Sequence, residues 1–230
     1  MTPLVLLPGM MCDGRLFGPQ IAAFGLSRAI HLPPIGGHDS MAALAAEVLA
    51  HAPPRFALAG LSMGGILAME IMAQMPERVE RLALLDTNPR AELPEVQARR
   101  APQIEAAQQG HLHEVMRDEM KPNYLVDGPD KQAVMDLCMA MAMDLGPEVF
   151  IRQSRALRDR PDRQAVLRAV TVPTLVLCGR DDRLCPVERH QLMHDLIAGS
   201  RLEIIDGAAH LPTLEQPQRT TAALARWLED

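Results

Sequence analysis

Short, unbroken apolar runs separated by segments of mixed character set the rhythm of this chain. "LVLLPG" from Leu4, "RAIHL" from Arg28, "FALAG" from Phe56, "RLALLDTN" from Arg81, "PTLVLCG" from Pro173 and "RLEIID" from Arg201 all have the length of a strand. The middle runs are valine, leucine and alanine without polar alternation, as expected of strands covered on both faces. Helical patterns fall between the runs at about Met41–His51, Met63–Met75, Val187–Ala198 and Thr213–Leu228. Pro76 closes the second, because proline has no N–H with which to continue a helix. This alternation predicts an α/β fold built as a doubly wound, mostly parallel sheet.

One segment breaks the rhythm. From about Pro89 to Val170 no convincing strand occurs, only four or five helical patterns punctuated by Gly110, Pro122, Gly128, Gly146 and Pro161. The most apolar is "DKQAVMDLCMAMAMDLG" from Asp130. The chain therefore divides into a core of residues 1–88 and 171–230 and a helical insertion of residues 89–170, a body that either roofs a pocket as a lid or simply extends the core.

Composition narrows the class. With 48% apolar and 23% charged residues, a net charge of −6 and no block of lysine or arginine, the chain excludes a nucleic-acid partner and a membrane span. The start, Met1-Thr2-Pro3, has no basic leader or small-residue cleavage site, so a cytoplasmic protein is expected. Cys12, Cys138, Cys178 and Cys185 are scattered without a C-x-x-C pair and suit reduced, incidental thiols.

The stretch "FALAGLSMGGILAMEIMAQMPERV" places one hydroxyl between two apolar runs. "GLSMG" matches G-x-S-x-G, a strand-to-helix turn so sharp that its serine stands exposed above the sheet, with Gly60 and Gly64 leaving the room it needs. Against this stands the ordinary capping role of a serine at a βα turn. A catalytic Ser62 requires a base within hydrogen-bond reach and a third group to orient that base. His210, in "IIDGAAHLPTLEQP", follows the last strand by a short loop and so lies at the same carboxyl edge as Ser62. His111 and His113 fit a solvated face of the insertion. His190 and His194, four apart on one helix, fit surface positions, since a metal pair there lacks a third ligand. His31, His38 and His51 carry no context.

For the orienting acid, "LVLCGRDDRLCP" places Asp181 and Asp182 in the loop after the fifth strand, giving the chain order Ser, Asp, His; Asp86, ending the fourth strand, competes. The oxyanion donors expected are the backbone N–H of Met63, following the nucleophile, and that of Met10, after the Pro8-Gly9 turn. A plain βα turn at Pro8-Gly9 is the competing reading. Cys12 lies near but has no basic partner.

Taken together, these segments resemble the α/β-hydrolase superfamily, over nearly the whole chain. "LLPGM" is similar to the family's oxyanion turn, "GLSMGG" to its elbow, "GRDDRLCP" to its G-x-x-D-x-x-x-P acid loop, and "GAAHLPTLEQP" to its histidine loop with a following E-x-P. The resemblance aligns Asp182, not Asp181, with the catalytic acid. Two departures stand out: Pro8 occupies the place of the usual histidine, and the family's first two strands are missing. The resemblance then implies an α/β-hydrolase fold of about six strands, with the strand near Arg28–Leu32 exposed at an edge, where Arg28 and Pro33-Pro34 protect it.

By analogy with relatives carrying a helical lid, the expected function is that of a carboxylic-ester hydrolase working through an acyl-enzyme on Ser62, on a small-molecule acyl substrate, with no metal or organic cofactor. Met135, Met139, Met141 and Met143 line either an aliphatic acyl pocket or the core of the insertion. Arg99 and Arg100 either receive a substrate carboxylate, as in an enol-lactone hydrolase, or lie on a solvated helix face. A cofactor-free perhydrolase or haloperoxidase-like activity would use the same three side chains, and a ligand-binding module without turnover is the reading from a different class.

Overall fold

A computed structural model describes residues 1–229 of the chain. The strands are β1 (Leu4–Leu7), β2 (Ile30–His31), β3 (Phe56–Leu61), β4 (Val79–Leu85), β5 (Thr174–Gly179) and β6 (Arg201–Ile205). The helices are α1 (Gly18–Phe24), α2 (Met41–His51), α3 (Met63–Gln74), α4 (Pro94–Gln108), α5 (Leu112–Glu114), α6 (Lys131–Arg158), α7 (Gln164–Arg168), α8 (Val187–Leu196), α9 (Pro212–Glu215) and α10 (Pro217–Glu229). All six strands pair in parallel in the order β2-β1-β3-β4-β5-β6.

The unalternated apolar runs account for the sheet's interior. β1, β3 and β5 are buried at every position, so each contributes side chains to both faces. Two apolar clusters result. One packs α2, α3 and α8 against residues such as Val5, Leu58, Leu82 and Val176; the other packs α1 and α10 against Leu6, Ala59, Leu85 and Leu177. Trp227 of α10 is 2% exposed and donates its indole N–H to the Pro173 carbonyl, pinning the last helix beneath the sheet. No helix among the described residues is long and apolar enough to cross a membrane.

Several boundaries differ from the expectation for identifiable reasons. The weak strand near Arg28 shrinks to two residues at the sheet edge, and β4 begins at Val79 rather than Arg81. The single helix expected over Thr213–Leu228 is two. Gln216 adopts φ −134°, ψ 61°, outside helical space, and Pro217 restarts the chain at a first-turn position that does not need its missing N–H.

Between β4 and β5 the chain forms helices joined by loops and no strand, as expected. α5 runs on into a π-helical turn, Val115–Met120, and α6 bends where Gly146 takes φ 77°, ψ 175° ahead of Pro147. The methionines of α6 serve packing: Met141 is buried in the lower cluster, Met135 packs against it, Met139 packs against the upper one, and Met143 faces solvent. The acyl-pocket alternative for these four is therefore corrected, because α6 turns Met135, Met139 and Met141 into the core and Met143 to solvent, and none of them lines the cleft over Ser62.

Candidate active site

β3 ends at Leu61 and α3 begins at Met63, leaving Ser62 as the whole connection. Its backbone sits at φ 55°, ψ −116°, a region that side chains adopt only when their surroundings enforce it. The enforcement comes from both flanking glycines. A Cβ on Gly60 would overlap the Gly64 carbonyl, and one on Gly64 would overlap the Leu7 carbonyl of β1. The Ser62 N–H is tied to the Leu85 carbonyl at 2.9 Å, and the Ser62 carbonyl accepts from the N–H groups of Gly65 and Ile66 and from the Thr87 hydroxyl. The serine is thus lifted out of the sheet by a turn that only small neighbours permit.

The loops after β5 and β6 deliver the partners. The Ser62 hydroxyl meets His210 Nε2 at 2.9 Å, and His210 Nδ1 meets Asp182 Oδ2 at 2.8 Å. A carboxylate at Nδ1 keeps the ring proton there and leaves Nε2 as acceptor for the serine. His210 and Asp182 are both buried, at 2% and 3% exposure. Burial works against charge on Asp182, yet the imidazole and the N–H groups of Cys185 (3.0 Å) and Leu184 (2.8 Å) outweigh it and hold the carboxyl below its ordinary range.

The competing acids are elsewhere. Asp181 is exposed, and Asp86 turns one oxygen to the Gly179 N–H at 2.9 Å while the other finds no partner among the described residues. Burial first, and then the neighbouring Asp182 charge, push the Asp86 carboxyl well above its ordinary value.

The turn after β1 lies against the serine: a Cβ on Gly9 would sit 3.5 Å from that of Ser62. Cys12 N–H closes the turn on the Gly9 carbonyl at 3.1 Å, and Met11, at φ 54°, donates its N–H to Gln153 Oε1 at 2.8 Å. Among the described residues no group accepts the N–H of Met10 or of Met63, so both donors remain free beside Ser62. Gln153 of α6 braces this turn, which opens with Pro8; no pattern in the sequence marked that glutamine.

Other supports were also unmarked. The Tyr124 ring stands edge-on to His210, with centroids 5.3 Å apart, and its carbonyl accepts the His210 N–H at 2.9 Å. Glu215, the acid of the E-x-P segment, accepts the N–H groups of Ala209 and Leu211 on either side of His210, both at 3.0 Å, and that of Val126 at 2.8 Å. Burial raises the Glu215 carboxyl, and those three N–H groups oppose the rise.

The expectation for His190 is corrected. It is fully buried, with Nε2 accepting the Thr87 N–H at 3.1 Å and Nδ1 facing the Pro186 carbonyl, because α8 packs its inner face onto β5 and β6 and brings His190 against the segment that follows β4. His194 pairs with the Ser200 hydroxyl, and His111 and His113 are exposed as expected. Cys12, Cys138 and Cys178 are buried free thiols, and Cys185 is half-buried at the site with burial raising its thiol well above the ordinary value.

Above Ser62 opens a cleft of about 320 Å³. Met10, Ile66, Tyr124 and His210 line its floor, and residues of α4, the π turn and the end of α6 line its walls. Arg99 is exposed there, whereas Arg100 is buried and bonded to Glu92 at 2.7 Å, so the solvated-face reading holds for the first and not for the second.

Sequence and structure comparisons agree with this architecture. The chain is 30% identical to the pimeloyl-[acyl-carrier protein] methyl ester esterase of Klebsiella pneumoniae over 93% of its own length and 88% of the relative's. It superposes on the malate-bound thermophilic esterase of Thermogutta terrifontis with a TM-score of 0.90 at 27% identity, covering 100% of this chain and 90% of that one. For the enol-lactonase of Burkholderia xenovorans the TM-score is 0.87 at 22% identity, over 100% and 92% of the two chains, a likeness of fold. A family model described as the alpha/beta hydrolase family matches residues 4–224, and the chain belongs to that family.

Proposed function

We propose that this protein hydrolyses a carboxylic ester of a small molecule through an acyl-enzyme on Ser62, with His210 as general base and acid and Asp182 as its orienting acid. The observation that carries the reading is the unbroken line of hydrogen bonds from the Ser62 hydroxyl through both ring nitrogens of His210 to Asp182. Esterase relatives over nearly the full chain support ester bonds as the target.

In the first half-reaction Ser62 Oγ attacks the acyl carbon while His210 Nε2 takes its proton. The carbonyl oxygen becomes an oxyanion, received by the free N–H groups of Met10 and Met63. Collapse of this intermediate expels the alcohol, which carries away the proton held by His210. Water then gives a proton to the same nitrogen, attacks the acyl-enzyme, and releases the acid and the serine hydroxyl. The helical segment 89–170 acts as the lid of this site and shapes the acyl pocket.

The test is a panel of p-nitrophenyl acyl esters of graded chain length, with thioesters and lactones alongside, run on the wild type and Ser62→Ala. Ser62-dependent turnover of esters, with labelling of Ser62 by a fluorophosphonate, is the expected result. Hydrolysis that survives in Ser62→Ala, or folded wild type that refuses the label, overturns the reading.

A further inference from the structure

The chain carries a net charge of −6, yet its cleft is cationic. Arg90, Arg99, Arg100, Arg160 and Arg189 line it, against Glu92 and Glu119. Glu119 is already engaged by Gln103 at 2.9 Å, and Arg90, Arg99 and Arg189 have no acidic partner among the described residues.

The deeper imbalance is at Glu92. Its side chain is 3% exposed, and it is shared by two guanidinium groups that are themselves 11% and 9% exposed. Arg100 forms a fork on it, Nε to Oε2 and Nη2 to Oε1, both at 2.7 Å; Arg160 Nη1 reaches Oε1 at 2.6 Å. One carboxylate thus balances one of two buried cations. Arg160 is further satisfied by the Arg90 and Leu157 carbonyls. Arg100 is not. Its Nη1, a strong two-proton donor, meets among the described residues only the Met10 thioether at 3.7 Å, and Met10 belongs to the turn beside Ser62. A simple tie between α4 and the end of α6 needs one guanidinium per carboxylate; the second, with a poorly satisfied nitrogen turned to the cleft, is the arrangement that receives an incoming anion.

We propose that Arg100, held in place by Glu92 and backed by Arg160, forms an anion-binding subsite, so that the ester hydrolysed here carries a free carboxylate on its acyl or its alcohol portion. This rests on the ester-hydrolase reading and assigns its substrate class.

Matched esters test it. Mono-p-nitrophenyl glutarate and its methyl ester place or mask a carboxylate on the acyl side; 4-(butyryloxy)benzoate and its methyl ester do so on the alcohol side. In one pair the free acid is expected to exceed the masked ester by at least about tenfold in kcat/KM, and Arg100→Met to bring that ratio close to unity. A folding defect lowers both members of a pair equally and leaves the ratio standing, so the ratio isolates the subsite. Ratios near unity in both pairs, with turnover still dependent on Ser62, overturn the subsite alone. Absence of Ser62-dependent turnover on all four esters overturns the hydrolase reading beneath it. A preference that persists undiminished in Arg100→Met takes the role away from Arg100.

Discussion

His190 Nε2 accepts the backbone N–H of Thr87 at 3.1 Å, and so α8 holds the segment just beyond β4 that is bonded to Ser62. The Thr87 hydroxyl in turn donates to the Ser62 carbonyl at 2.7 Å, tying the strained elbow to β4. The arrangement needs a neutral ring, with its one proton on the nitrogen facing the Pro186 carbonyl.

That requirement predicts an acid-sensitive fold. Burial lowers the His190 pKa from 6.5 to about 4, whereas in the unfolded chain the ring titrates at its ordinary value. Between these values the unfolded state binds the extra proton, so stability rises with pH across this window and is lost as pH falls through it. The loss is on the order of 3 kcal/mol once both states are protonated. Thermal unfolding of the wild type and His190→Gln at several values across that window checks this, because a glutamine oxygen can accept the Thr87 N–H without titrating. The variant's melting temperature should fall less steeply with acid; parallel slopes would assign the acid sensitivity to other groups.

The two neighbouring carboxyls should answer oppositely to the same substitution. Asp182→Asn offers an amide to the proton on His210 Nδ1, favours the wrong tautomer, and is expected to lower kcat by roughly 10³- to 10⁴-fold with the fold retained. Burial pushes the Asp86 carboxyl well above its ordinary value, toward the uncharged form that asparagine mimics, and asparagine also tolerates its backbone at φ 44°. A carboxyl whose folded pKa is raised contributes stability below its unfolded value and loses it as pH rises toward the folded one. Asp86→Asn should therefore keep kcat within a few-fold and gain stability relative to the wild type as pH is raised above about 4. Steady-state kinetics and urea unfolding at pH 5 and pH 8 distinguish the pair; severe loss of kcat in Asp86→Asn would return that residue to the reaction.

The elbow glycines should be unforgiving. A methyl group on Gly60 or Gly64 overlaps a main-chain carbonyl, which cannot rotate away as a side chain can. Gly60→Ala and Gly64→Ala are each expected to cost at least about 3 kcal/mol or to prevent folding, more than ordinary overpacking. Gly18→Ala, where a Cβ meets nothing within 4 Å, is the control and should melt near the wild type. Equal melting temperatures for all three would remove the steric account of the turn.

What the sequence disclosed and what it withheld follow from the range of each interaction. The parallel sheet was legible because strands buried on both faces leave apolar runs, and Ser62, Asp182 and His210 because each sits one loop beyond such a run. The burial of Arg100 was not. α4 is polar along its length, and the groups that make Arg100 a core residue are Glu92, eight positions before it, and Arg160, sixty positions beyond. His190 was hidden in the same way, its partner Thr87 lying 103 residues away. Gln153, which braces the Met11 N–H across 142 residues, is one more polar residue in a long helix until the chain is folded.

Lys121 offers a test of how much stability the helical segment between β4 and β5 gives up for its arrangement. It is fully buried, its ammonium has no hydrogen-bond partner among the described residues, and it lies 4.3 Å from the centroid of the Tyr124 ring whose edge supports His210. A desolvated cation–π contact is worth about 2 kcal/mol, less than the several kcal/mol that an unpaired buried charge costs. Lys121→Met keeps the length and apolar stem of the side chain and removes the charge, so it is expected to raise stability by about 1 kcal/mol or more. Tyr124→Leu, which strips the ammonium of its cation–π partner, should destabilise by about 3 kcal/mol, and much of that loss should disappear in the Lys121→Met background. Denaturant unfolding of the two single variants and the double variant forms the cycle; additive effects would mean that the ring and the ammonium stabilise this corner independently.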